Sequence, residues 1–187
     1  MKALAWAWRN YADIKTRVTE IRDWFRNAPP TDPARGILII GPGGAGKTTL
    51  ARILSGDFDW LTDDPWDYGE SFRVEQYTLE DDPKVGIVVP PGQHARRLSL
   101  WSQVEKDIAS GKYRGVILTS AFGYHSLAQG SYKRHPLYTG DKEEFRKVFT
   151  TRGRADEIAI LKRLEPHLRL SASKMWLLSL VMKEDFW

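Results

Sequence analysis

GPGGAGKTTL, residues 41–50, is the stretch whose reading decides the fold. ILII (37–40) precedes it, an all-apolar run suited to a strand buried on both faces. LARILSG (50–56) follows and reads as a helix. Between them Gly41, Gly43, Gly44 and Gly46 leave the backbone free to turn successive N–H groups toward one point. The start of the following helix adds its positive dipole end. Such a cradle suits a phosphate group. Ala45 and Thr49 complete the contact run, Lys47 supplies a cation for the β- and γ-phosphates, and the Thr48 hydroxyl suits Mg²⁺. Gly41-x-x-x-x-Gly46-Lys47-Thr48 is a complete Walker A pattern in its required strand, loop and helix context.

The rest of the chain is compatible with one α/β domain and a short appendage, at 187 residues. A hydrophobic share of 42% and a charged share of 28% place it among soluble globular chains and exclude a disordered or fibrous class. Without cysteine there is neither a disulfide framework nor a cysteine metal site, which suits a reducing compartment. No apolar run reaches bilayer length, and MKALAWAWRN is too short and polar for a signal peptide, so a cytoplasmic protein is expected. The net charge of +4 is spread along the chain, so a nucleic-acid partner is not expected. The 8 Trp are expected to be core or interface anchors.

Residues 3–27 read as one amphipathic helix. Leu4, Tyr11, Val18 and Phe25 alternate with Ala7, Ile14 and Ile21 in a heptad stripe. It is expected to pack on its own domain; a seam for a protein partner is the sharper reading, and a membrane surface the weaker one. APPTDPARG (28–36) reads as a linker. That divides the chain into an N-terminal helix and linker, 1–30, and a domain over 36–187. Within the domain, strands are expected at 71–79, 84–90, 114–122 and 174–182. The first two are joined by the turn EDDP. GQHARRLSLWSQVEKDIASGK passes from loop to helix, and 141–150 and 154–169 read as two further helices, with a polar loop at 123–141. The expected fold class is α/β, a doubly wound and mostly parallel sheet with one antiparallel edge hairpin, preceded by the amphipathic helix.

Two later motifs carry a resemblance. VVPPGQH (88–94) ends the second hairpin strand, and LSLVMKEDFW (178–187) ends the last strand. With the Walker A loop, their order resembles that of small P-loop GTPases of the Ras and Arf type, over roughly residues 36–187. The resemblance implies that Gly92 senses the γ-phosphate and that Gln93 orients the attacking water. It implies that Lys183 and Asp185 read the base, the carboxylate accepting from guanine N1–H and N2–H₂. Ser71 takes the place of the switch residue that meets Mg²⁺, with Thr62 as its competitor. GTP or GDP and Mg²⁺ are then the expected ligands, Lys47 and Gln93 the catalytic residues.

The chain departs from the family's pattern in four places. Val89 stands where an Asp would hold Mg²⁺ through water. Asp63, Asp64 and Asp67 in the acidic loop are candidate replacements. Met182 stands where Asn or Thr ties the base-reading loop to the phosphate loop. Pro90 and Pro91 stiffen the segment that usually swings. The sequence stops at Trp187, so either the chain is cut there or the family's final strand, loop and helix are expected from other segments or a partner. Arg96 and Arg97 are read as a solvated helix start rather than a catalytic finger, and His94 as polar surface. Tyr124, Tyr132, Lys133, Arg134 and His135 are read as a mobile surface loop rather than a clamp for single strands.

Three functions are carried forward. The first is a guanine-nucleotide switch with slow hydrolysis that controls a protein partner through the N-terminal helix or the switch regions. The second is a pseudo-GTPase interaction module that binds without turnover. The third is a P-loop kinase or ATPase, with TTRGRADE (150–157) as an arginine-rich lid.

Overall fold

The computed structural model describes residues 16, 19–20, 36–58, 73–92, 94–125, 132–172 and 174–182, with the backbone alone over 94–100. The expected N-terminal helix 3–27 falls outside them apart from three positions, which are helical.

Gly36–Ile40 forms β1 at the centre of the sheet. Ile37, Leu38, Ile39 and Ile40 are each fully buried, as a run that is apolar on both sides requires. Lys47–Leu54 forms α1, Glu75–Leu79 β2, Asp82–Val89 β3, His94–Ala109 α2, Tyr113–Ser120 β4, Lys142–Arg169 α3 and Trp176–Val181 β5. The strand order is β2-β3-β1-β4-β5. β1 runs parallel to β3 and β4, β4 runs parallel to β5, and β2 pairs antiparallel with β3 at the edge. The expected mostly parallel sheet with one antiparallel edge hairpin is the one observed.

Successive side chains of a strand point to opposite faces, and β1 divides its apolar residues accordingly. Ile37 and Ile39 join Leu50, Ala51 and Leu54 of α1 and Val85, Ile87 and Val89 of β3 in one core. Leu38 and Ile40 join Trp101, Val104 and Ile108 of α2 and Ile160 and Leu164 of α3 in the other. Each buried Ile or Leu contributes about 1.5–3 kcal/mol through removal from water. A satellite cluster of Tyr124, Phe145 and Phe149 lies under the loop after β4.

One element differs from its expectation. Residues 141–150 and 154–169 belong to a single helix, α3. Asp141 caps its start, accepting from the Glu144 amide at 2.8 Å. Gly153 reads locally as a break, yet it is where the helix backbone meets the loop after β4. A Cβ there would lie 2.6 Å from Gly123 Cα. The glycine is a contact surface, and the helix runs through it.

Candidate functional site at the phosphate loop

The C-terminal ends of β1, β3 and β4 converge on the loop 41–46, the crevice where open α/β sheets hold ligands. Gly46 is the N-cap of α1, at φ +80, a conformation that favours glycine. Without a cap side chain or an acidic residue in its first turn, α1 keeps its positive end uncompensated from within. Lys47 is only 6% exposed, and its ammonium donates to the Pro42 carbonyl at 2.8 Å. The cation is therefore held over the loop rather than loose in solvent.

Gly92 lies against this cation. A Cβ on Gly92 would be 2.5 Å from the Pro42 carbonyl carbon and 2.6 Å from the Gly41 oxygen, with Lys47 Nζ as its nearest neighbour. Only a glycine lets the segment after β3 approach the phosphate loop so closely. That segment is held from behind: Pro90, Pro91 and Gly92 are buried, and the Trp101 indole donates to the Pro91 carbonyl at 3.0 Å.

The metal-ligand candidate Thr48 donates its hydroxyl proton to Glu75 Oε2 at 2.8 Å. Tyr77 donates to the same oxygen at 3.1 Å. Burial, then the charge of Glu75, pushes the Tyr77 phenol up from its ordinary value. Glu75 is the cross-strand partner of Val89 and therefore shares its face of the sheet. Glu75 escaped the sequence reading, because nothing near it in the chain marks it as a neighbour of Thr48. A hydroxyl and a carboxylate side by side are hard oxygen donors of the kind Mg²⁺ takes, so the residues present fit the ion. Among the described residues no group of three or more His, Asp or Glu forms a metal cluster of its own.

Met182 directly follows β5. Its amide donates to the Ser120 carbonyl at 2.6 Å. Its methyl would lie 3.1 Å from a Cβ on Gly46. The side chain in the place of Asn or Thr thus packs on the phosphate loop by van der Waals contact. Lys183, Asp185, Gln93, Ser71, Thr62, Asp63, Asp64 and Asp67 lie outside the described residues. His94, Arg96 and Arg97 open α2.

At the end of β4 a second polar cluster forms. Glu157 of α3, 8% exposed, accepts from Ser120 Oγ at 2.7 Å, the Ala121 amide at 3.0 Å and the Gly123 amide at 3.1 Å. Burial pushes its carboxyl up, while contact with His125 and these donors pulls further the other way, so the net shift is downward. His125 is wedged between Asp156 at 3.5 Å and Glu157 at 3.6 Å. The aromatic residues of the following loop are engaged internally. Tyr132 stacks on Phe145 at 5.9 Å, and His135 meets the Phe149 edge at 5.2 Å. Residues 150–157, the arginine-rich stretch read as a lid in the kinase alternative, are mid-helix in α3.

No family model and no curated protein matches the sequence. Among solved structures, a chain of the mammalian SRP receptor matches with a TM-score of 0.50 at 16% identity, covering 81% of this chain and 63% of that one. A bacterial selenocysteine-specific elongation factor, EF-Sec, matches with a TM-score of 0.34 at 18% identity, over 78% of this chain and 25% of its own. This chain thus spans less than two thirds of either of these chains. At this identity the likeness to the SRP receptor chain is one of fold alone.

Proposed function

We propose that the chain is a guanine-nucleotide-binding switch domain that hydrolyses GTP slowly and controls a protein partner. The observation that carries the nucleotide reading is the approach of Gly92 to Lys47 and the phosphate loop. That approach brings the backbone of the segment after β3 beside the cation expected to meet the γ-phosphate. The guanine reading rests on Asp185, whose carboxylate matches the two donors of guanine, with Lys183 beside it. Met182 packed on Gly46 supports it by starting that segment next to the phosphate loop.

In this reading the amides of Gly43 to Thr49 bind the phosphates, and Lys47 sits between the β- and γ-phosphates. Thr48, with Ser71 as a second candidate, would hold Mg²⁺, which when bound neutralises charge on the phosphate oxygens. Gln93 orients a water toward the γ-phosphorus. Water adds there, the bond to the β-phosphate oxygen breaks, and GDP and inorganic phosphate leave. A cytoplasmic setting suits a chain without cysteine. Among the described residues no helix is long and apolar enough to cross a membrane.

Two observations favour a second reading, binding without turnover. Val89 is an apolar, 1% exposed residue. Trp101 pins the Pro90–Pro91–Gly92 segment that a switch would have to move. Titration with fluorescent GDP, a GTP analogue and ATP, with and without Mg²⁺, decides the base. A guanine preference of at least tenfold supports the proposal, and equal affinity for ATP overturns it. Phosphate release that needs Mg²⁺ and disappears in Lys47→Ala then separates the switch from the silent module.

A further inference from the structure

The clearest unassigned chemistry is the carboxylate that faces Thr48. We propose that Glu75 is the protein carboxylate of the divalent-cation site, supplied from the edge strand β2 in place of one on β3. The inference rests on the reading of residues 41–48 as a nucleotide–metal site.

Mg²⁺ bound beside phosphates generally takes one or two protein carboxylates along with phosphate oxygens and waters. The end of β3 offers none, because its terminal residue is the buried Val89. The residue directly opposite on β2 is Glu75. Adjacent strands lie about 4.8 Å apart, a gap that a glutamate is long enough to span. It is also long enough to reach the helix above: Glu75 Oε2 sits 2.8 Å from Thr48 Oγ1 of α1. In that bond Thr48 is the donor, so its oxygen lone pairs remain directed elsewhere and can meet a cation. Tyr77 holds the same carboxylate oxygen from the other side at 3.1 Å, which fixes its orientation. The carboxylate negative charge lies on one flank of the loop, and the Lys47 ammonium is tied to Pro42 on the loop itself. A phosphate–metal pair would find opposite charges arranged for its two components.

Glu75→Gln tests this. The amide oxygen can still accept from Thr48, but the charge that draws a cation is gone. The quantity to measure is the Mg²⁺ concentration that half-saturates the slowing of fluorescent GDP release, starting from EDTA. Removing a carboxylate that orients or binds the ion weakens metal affinity by roughly 10–100-fold, and that rise is expected in Glu75→Gln. Glu75→Asp is expected to fall between the variant and the native chain, since it keeps the charge at shorter reach. Mn²⁺ binding to the GDP complex, followed by electron paramagnetic resonance, should weaken in parallel.

Equal Mg²⁺ half-saturation in the native chain and Glu75→Gln overturns the inference. So does an equal loss of GDP affinity with and without Mg²⁺, which would make Glu75 only a brace for Thr48. If the native chain binds ADP instead of GDP, the guanine reading fails, and the same titration with ADP still decides Glu75. If it binds neither, the metal site falls with the nucleotide site.

Discussion

Glu75 and Glu157 stand at the same end of the sheet and do different work. Glu157 reaches the end of β4 from α3 and is saturated by structure: two backbone amides and one hydroxyl donate to it, with His125 alongside. Glu75 reaches α1 from β2 and, among the described residues, is met by two hydroxyls, one of them on α1. Backbone amides cannot leave their partner without breaking the fold. A hydroxyl can keep its bond and still offer lone pairs to a ligand. The lesson is that a buried carboxylate bonded to backbone marks architecture, while one bonded to a motif side chain marks chemistry.

The largest effect should come from breaking the architectural side. Glu157→Ala orphans the Ala121 and Gly123 amides and the Ser120 hydroxyl, for a loss of about 4 kcal/mol. A melt should show Tm lowered by roughly 8–16 °C. The same carboxyl gives the fold an acid limit. Its folded pKa lies below the ordinary 4.5, so its contribution is fully present above that value and is lost as pH falls through the depressed one. Denaturant unfolding across pH 3 to 6 should therefore flatten in Glu157→Gln. An unchanged slope would break the assignment.

Next in size is the chemical side. Lys47→Ala removes a buried cation over the loop, and charge-assisted bonds to phosphate contribute about 2–3 kcal/mol. Nucleotide affinity should fall about 100-fold, with a smaller change in Tm than for Glu157→Ala. Gly92→Ala should weaken nucleotide binding about tenfold, because its methyl would press on Lys47 Nζ and the Gly41 carbonyl. The effect should vanish in a Lys47→Ala background if the contact with Lys47 is what transmits it, which a double-mutant cycle reads directly. Smallest is the stability effect of Glu75→Gln, under about 1 kcal/mol. A Tm loss as large as that of Glu157→Ala would dissolve the contrast between the two carboxylates.

Much of this was legible in the chain. The glycine loop, Lys47 and Thr48 lie within ten residues, between a run that can only be a buried strand and the start of a helix. Local chemistry was sufficient there, and the observed β1, loop and α1 follow it. The hairpin and the later strands were legible from their apolar runs, with the first hairpin strand starting four residues later than expected and the other strand ends within two. The continuity of α3 was not, because Gly153 looks like a break until Gly123 is seen against it.

What the sequence determined alone was the glycine loop between a buried strand and a helix, the parallel core around it and the lack of a carboxylate at Val89. What stands opposite Val89 was decided by register. Leu79 pairs with Asp82, and a regular ladder continued from there would set Val89 opposite Phe72. An irregularity between Thr78 and Leu79 shifts the ladder and sets Val89 opposite Glu75 instead. A shift of this kind is fixed by packing on the neighbouring strands and α1, contacts between residues distant in the chain. The residue beside Thr48 therefore had to come from the tertiary structure.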